Sequence, residues 1–227
     1  LSIATPILKK YNLPATVFVS TGFLDGGRMW NDTVIESVRN WPDQQIDLSD
    51  LGLGSMECRT EQNKRDLISN ILNAIKHRDP KNRQKFVDEL SVRVADLPTD
   101  LMLTADGVRE LHTQGIEIGA HTVSHPILAS LNYDEAQREI AQSKEQLEEI
   151  IGDRARFFAY PNGRYQSDYN QSHVDMLRSL GFEAGLSTHW GVATHATDKM
   201  QLPRFTPWDN NSLRFMVRAA QNYQRVI

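Results

Sequence analysis

The hydrophobic pattern of this chain switches back and forth between two periods, and that switching restricts the fold more than any other feature. Leu1, Ile3, Ala4, Ile7 and Leu8 recur at helical spacing, Asn12 and Pro14 interrupt them, and Ala15 to Ser20 (ATVFVS) follows as a short β-rich apolar run. The same unit returns. Ala105 to Gln114 reads as a helix stopped by Gly115, and Ile116 to Ala120 reads as a strand that delivers His121. Tyr133 to Ile151 carries Ala136, Ile140, Leu147, Ile150 and Ile151 on one face. Asn132 stands where an N-cap belongs, with Glu135 three residues on and Gly152 at the stop. A strand at Phe157 to Tyr160, a helix at Ser172 to Leu180, a strand at Phe182 to Ser187, a last short strand at Gln201 to Phe205 and a helix at Leu213 to Tyr223 complete the series. Helices alternating with buried strands predict an α/β architecture with a parallel sheet, open or closed into a barrel.

One region departs from this rhythm. From Arg28 to Pro98 the chain is polar, with amphipathic stretches at Val34 to Trp41, Lys64 to His77 and Lys81 to Val94 and no convincing strand. It reads as a helical insertion (28–98) within one domain spanning 1–227. A place above the strand ends, where loops shape substrate sites, and a purely structural excursion are equally compatible with its pattern. At 227 residues the chain is long enough to bury one sizeable core.

Composition narrows the partners. A formal net charge of −4, with no dense Lys/Arg cluster, argues against nucleic acid. The single cysteine, Cys58, lies in a polar stretch and has no intrachain disulfide partner, so it reads as an incidental thiol. No run of ~20 apolar residues is present to form an integral membrane segment. The location, cytoplasm or cell envelope, stays open.

The residues with most chemistry are His121 and His125, in His-Thr-Val-Ser-His directly after a predicted strand. On a turn, this spacing lets two imidazoles converge on one cation, and imidazole suits zinc, iron, nickel or cobalt. Taken alone, the pair describes two hydrogen-bonded surface imidazoles equally well.

The stretch Gly115-Ile-Glu-Ile-Gly-Ala-His-Thr-Val-Ser-His125 and, further on, Phe157-Phe-Ala-Tyr-Pro-Asn-Gly163 resemble the second and third motifs of the polysaccharide deacetylases, the NodB-homology family or carbohydrate esterase family four. They come in the family's order, each at the end of a strand. The helix between them, with Glu139, Ser143 and Lys144, and the segment Lys10 to Val19 (KYNLPATVFV) are also similar to the family, as is Met29-Trp30 to members with an insertion. The resemblance implies a distorted (β/α) barrel holding a divalent metal, usually zinc, on an Asp-His-His triad at the C-terminal ends of the strands. His121 and His125 match the imidazole ligands. Such a metal polarises an acetamide carbonyl and lowers the pKa of a bound water toward ~7. An aspartate takes the water's proton, and the backbone N–H of Asn162 matches the family's oxyanion donor.

Three departures from the family pattern follow. Its opening Thr-Phe-Asp-Asp strand, the source of base and carboxylate ligand, would lie a few residues ahead of Leu1, so the chain is expected to lack its first strand through N-terminal truncation. Ala159 stands where an arginine is usual, and Leu202-Pro203-Arg204 resembles the late element that supplies this arginine in some members, which makes Arg204 the expected partner of the catalytic aspartate. No histidine after His195 matches the family's general acid, and neither His189 nor His195 is assigned that role.

Aromatic side chains stack well on sugar faces. Trp30, Tyr160, Trp190 and Trp208 lie in or beside predicted loops. Tyr160, Pro161, Trp30 and Trp190 are the expected substrate contacts, with core packing as the competing role for the rings. The implied activity is metal-dependent hydrolysis of N-acetyl groups from hexosamine units of a polysaccharide or oligosaccharide. A carbohydrate-binding pseudoenzyme of the same fold, and an amidohydrolase acting on a small non-sugar amide, are the alternatives.

Overall fold

In a computed structural model of the protein, the described residues are 3–76, 78–206 and 209–225. In chain order the elements are α1 (Ala4–Lys10), β1 (Thr16–Val19), α2 (Trp30–Arg39), β2 (Gln45–Leu48), β3 (Gly54–Glu57), α3 (Glu61–Ile75), α4 (Pro80–Ser91), α5 (Ala105–Thr113), β4 (Glu117–Ala120), α6 (Tyr133–Ile151), β5 (Phe157–Ala159), α7 (Gln171–Ser179), β6 (Ala184–Leu186) and α8 (Ser212–Tyr223). They divide into two compact units, one of residues 1–24 and 103–227, the other Asp25–Met102. No helix among the described residues is long and apolar enough to cross a membrane.

In the first unit β1, β4, β5 and β6 form one sheet in that spatial order, every pairing parallel. Parallel neighbours need crossovers, and α5, α6 and α7 supply them. The strands are three or four residues long, and burial deepens toward the C-terminal ends of β1, β4 and β5. Val19, Ile118, Ala120 and Phe158 are buried there with Val108, Leu111, Ile140, Leu147, Val174 and Leu177 of the helices. The caps read from the sequence are present. Asn132 and Glu135 close a capping box at the start of α6, and Gly152 turns the chain away at φ 67°.

The strand expected at Gln201 to Phe205 is corrected. Lys199–Gln201 is a 3₁₀ turn, and only Leu202 bridges to β6, at Leu186. Pro203 explains the interruption, since it has no N–H to continue a ladder. The segment still runs beside β6: Leu202 donates to the Gly185 carbonyl at 2.8 Å, and Arg204 donates to the His189 carbonyl at 3.0 Å.

The Asp25–Met102 unit has its own core, in which Val34, Val38, Leu67, Ile71, Ile75 and Val87 are fully buried. It contains α2, α3 and α4 as expected, but also the antiparallel pair β2–β3, which corrects the expectation of a strandless segment. Ile46 and Leu48 face inward while Gln45 and Asp47 face water, a period of two too short to stand out among helical stretches. Cys58, read as an incidental thiol, is a free, buried member of this core. Burial pushes its thiol pKa up, the character of an inert packing residue.

Candidate active site

The C-terminal ends of all four parallel strands turn toward one another through loop contacts, and the chemically active residues lie on those loops. After β4 the loop His121–His125 makes a reversal that requires two residues in the left-handed region, Thr122 at φ 64° and His125 at φ 55°. Both carry a side chain that this conformation disfavours, Thr122 a β-branched one. Local bonds offset the strain. The Thr122 hydroxyl donates to the His121 carbonyl and accepts from the His125 N–H at 3.0 Å. From the loop after β1, the Ser20 hydroxyl donates to the His121 carbonyl at 2.8 Å, and the Gly22 N–H to the Val123 carbonyl at 2.9 Å. Only glycine fits at position 22, where a Cβ would stand 2.8 Å from the Val123 oxygen.

This loop brings the two imidazoles together, with centroids 4.7 Å apart and planes at 74°. The Nδ1 of His121 lies 2.6 Å from the Ala159 carbonyl oxygen. A carbonyl can only accept, so Nδ1 carries the proton and Nε2 presents its lone pair. Burial first, then the neighbouring His125 and the charge of Arg204, push the His121 pKa down to about 4 in spite of that hydrogen bond, which keeps the ring neutral. A neutral imidazole with a fixed tautomer and a second imidazole beside it is a donor set that suits a divalent transition metal. Among the described residues no third His, Cys, Asp or Glu joins them.

After β5 the turn Tyr160–Gly163 places Asn162 at φ 58° and Gly163 at φ 76°. It is pinned to the end of β6: the Thr188 hydroxyl donates to the Asn162 carbonyl at 2.7 Å, and the Thr188 N–H to the Gly163 carbonyl at 2.9 Å. The Asn162 N–H makes no hydrogen bond within the protein among the described residues. Because Ala120 pairs with Phe158, His121 and the Ala159 carbonyl stand level, one residue ahead of this turn. Arg204, reached through its backbone bond to His189, is half-buried, and burial pushes its pKa down. Its guanidinium has no hydrogen bond or ion pair among the described residues.

The aromatic contacts are rearranged. Tyr160 is fully buried, stacked on Tyr169 with centroids 3.7 Å apart, and its hydroxyl donates to the Met200 carbonyl at 2.9 Å. The expectation that its ring meets substrate is therefore corrected: Tyr160 is a core residue that anchors the turn from below. Pro161 is buried as well. Trp190 stays partly exposed, edge-on to Phe205 at 5.3 Å, with Arg225 5.7 Å from its ring. Trp30 begins α2 in the Asp25–Met102 unit, where the Arg83 guanidinium covers its ring at 4.6 Å. Trp208 lies outside the described residues. His189 and His195 are both exposed.

One functional contact had no role in the sequence reading. Glu139 of α6 accepts from the Val123 and Ser124 N–H groups at 2.9 Å each and from the Ser124 hydroxyl at 2.7 Å. The sequence signals for it are its place beside Ile140 on an amphipathic helix and the likeness of that helix to the family's connection between the two motifs. Among the described residues, cavities lie at both ends of the strands. One of about 380 Å³, lined by Tyr165, His189, Asp198 and Gln201, adjoins the β6 loop. The larger, about 500 Å³, is lined by Leu8, Pro14 and Ile116 at the opposite, N-terminal ends of β1 and β4.

Comparison with known proteins bears on the family and the fold. Residues 3–185 match the family model described as Polysaccharide deacetylase. YxkH of Bacillus subtilis (strain 168), named a polysaccharide deacetylase, is 29% identical over 92 residues, 40% of this chain and 32% of YxkH. Three solved structures share the fold. The Streptococcus pyogenes deacetylase PplD, in complex with acetate, superposes with a TM-score of 0.56 at 21% identity over 96% of this chain and 63% of PplD. A de-N-acetylase from Aggregatibacter actinomycetemcomitans gives 0.55 at 16% identity over 96% of this chain and 69% of its own. The deacetylase domain of BpsB from Bordetella bronchiseptica gives 0.53 at 16% identity over 89% of this chain and 64% of its own. The chain thus spans about a third of YxkH and under two-thirds of PplD. With most of its length inside the family model and the same parallel α/β fold as these structures, the chain belongs to the polysaccharide deacetylase family.

Proposed function

We propose that this chain carries the metal-binding and amide-activating loops of an N-deacetylase that removes acetyl groups from hexosamine units of a polysaccharide or oligosaccharide. One observation carries the reading: the His121 and His125 rings meet at the end of β4, level with a turn whose Asn162 N–H is uncommitted. A divalent ion, zinc in the first instance and nickel, cobalt or iron as alternatives, supplies polarisation of the acetamide carbonyl and of the attacking water when bound. The remaining work belongs to side chains and backbone. His121 and His125 hold the ion, and the Ala159 carbonyl keeps the His121 lone pair facing outward. The Asn162 N–H donates to the oxygen on which negative charge develops, a contact of the kind worth about 3 kcal/mol in related chemistry.

Arg204 brings a half-buried positive charge to the same site, suited to orienting a carboxylate. The reading needs such a carboxylate as metal ligand and base, and the described residues gather none around the two rings. The name of PplD supports deacetylation, and that of the de-N-acetylase supports amide hydrolysis as its chemistry. The test is acetate release from N-acetylated hexosamine oligosaccharides by the full-length, zinc-loaded protein. Activity should vanish on chelation, return with zinc, and be abolished in His121→Ala and His125→Ala. Metal bound with both histidines intact and no acetate released would overturn the proposal.

A further inference from the structure

The loop that presents the two histidines is strained at Thr122 and His125, and several of its bonds come from its own residues or from the loop after β1. Glu139 is different, because it belongs to a long, capped helix. Ala136, Ile140, Ser143 and Leu147 are buried along α6, which holds the backbone of residue 139 against the sheet. From there the carboxylate reaches across 15 or 16 positions of sequence. One oxygen takes two consecutive N–H groups, Val123 and Ser124, and the other takes the Ser124 hydroxyl. Consecutive N–H groups turned to one side form a concave nest for an anion. Here the anion is a side chain of the chain itself, so the Val123 and Ser124 N–H groups are satisfied within the protein. Bonds to an ionised acceptor are the stronger kind.

We infer that Glu139 is a positioning residue for the metal site: its carboxylate clamps the Val123–Ser124 peptides and so sets the angle at which His121 and His125 face a common ion. The inference rests on the reading of those histidines as metal ligands. Glu139 grips the segment between the two rings, through the Val123 and Ser124 N–H groups and the Ser124 hydroxyl. Glu139→Asp keeps the charge but withdraws it by one methylene, which separates reach from electrostatics. Glu139→Gln keeps the reach and one acceptor oxygen while removing the charge.

The experiment uses cobalt(II) as probe on the full-length protein and compares affinity and ligand-field spectrum among wild type, Glu139→Asp and Glu139→Gln. Groups that orient metal ligands typically govern affinity by about 10- to 100-fold, and a loss in that range is expected for Glu139→Asp, with a changed spectrum. Glu139→Gln should retain a wild-type spectrum and recover most of the affinity. Amide exchange of Val123 and Ser124 supplies a readout independent of metal, and both should lose protection in Glu139→Asp. Wild-type affinity and spectrum in a folded Glu139→Asp would overturn the inference, as would unchanged protection of the two amides. If wild type and His121→Ala bind cobalt equally poorly, the metal reading itself fails, while the exchange data still decide whether Glu139 holds the loop.

Discussion

At the scale of single residues, the state of His121 follows from one hydrogen bond and its surroundings. The unfolded ring titrates near 6.5, whereas burial beside His125 and Arg204 holds the folded ring at about 4. Between these values the unfolded chain binds a proton that the metal-free fold refuses. The contribution of the neutral ring to stability is therefore complete above pH 6.5 and is lost as pH falls toward 4. Urea-unfolding midpoints of metal-free protein should decline across that window, and His121→Gln should flatten that part of the profile. Arg204 gives a second check. Its charge helps hold the His121 pKa down, so Arg204→Met should shift the imidazole titration upward, as read by NMR of the ring protons. An unmoved titration would place the guanidinium too far away to orient a group at this site.

At the scale of elements, the site depends on how closely two loops approach. Gly22 lets the loop after β1 touch the histidine loop, and a methyl group there would stand 2.8 Å from the Val123 oxygen and 3.0 Å from the Val123 side chain. Gly22→Ala should cost about 1–3 kcal/mol by forcing that contact apart and should weaken metal binding with it, both measurable on one preparation by denaturant titration and cobalt binding. Gly163 has the same role on the other side, at φ 76° with Thr188 atoms 2.9 Å from where its Cβ would be. The cap of α6 is a purely local matter. Asn132→Ala removes the acceptor of the Glu135 N–H and should cost about 1 kcal/mol of stability, with no change in the cobalt spectrum if the helix keeps its seat.

At the scale of the whole molecule, each compact unit has a hydrophobic centre of its own. Ile71 is fully buried among Val34, Val38, Leu67 and Ile75 in the Asp25–Met102 unit. Ile71→Ala should destabilise that unit by about 2–5 kcal/mol, seen as faster hydrogen exchange of its slowest amides. Phe158, fully buried in the sheet and edge-on to both Tyr160 and Phe182, is the corresponding position in the other unit. Phe158→Ala should cost about 3–5 kcal/mol there by the same measurement.

What could be read from the chain alone was whatever is written in short-range order. The alternation of helical and strand periods, the Asn132 cap, the Gly152 stop and the His-Thr-Val-Ser-His spacing are all properties of neighbouring residues, and they located α6 at its observed bounds and both histidines at the end of β4. The Ala159 carbonyl that sets the His121 tautomer and the grip of Glu139 join residues 15 to 38 positions apart, and no local pattern encodes such contacts. The same limit explains the misplacement of Tyr160. A tyrosine next to a functional turn has the same sequence signature whether its ring faces a ligand or the core, and only the presence of Tyr169 stacked beneath it and the Met200 carbonyl at its hydroxyl sends it inward. Local propensity is decided by a residue and its neighbours, whereas the direction of a side chain is decided by what the folded chain leaves room for.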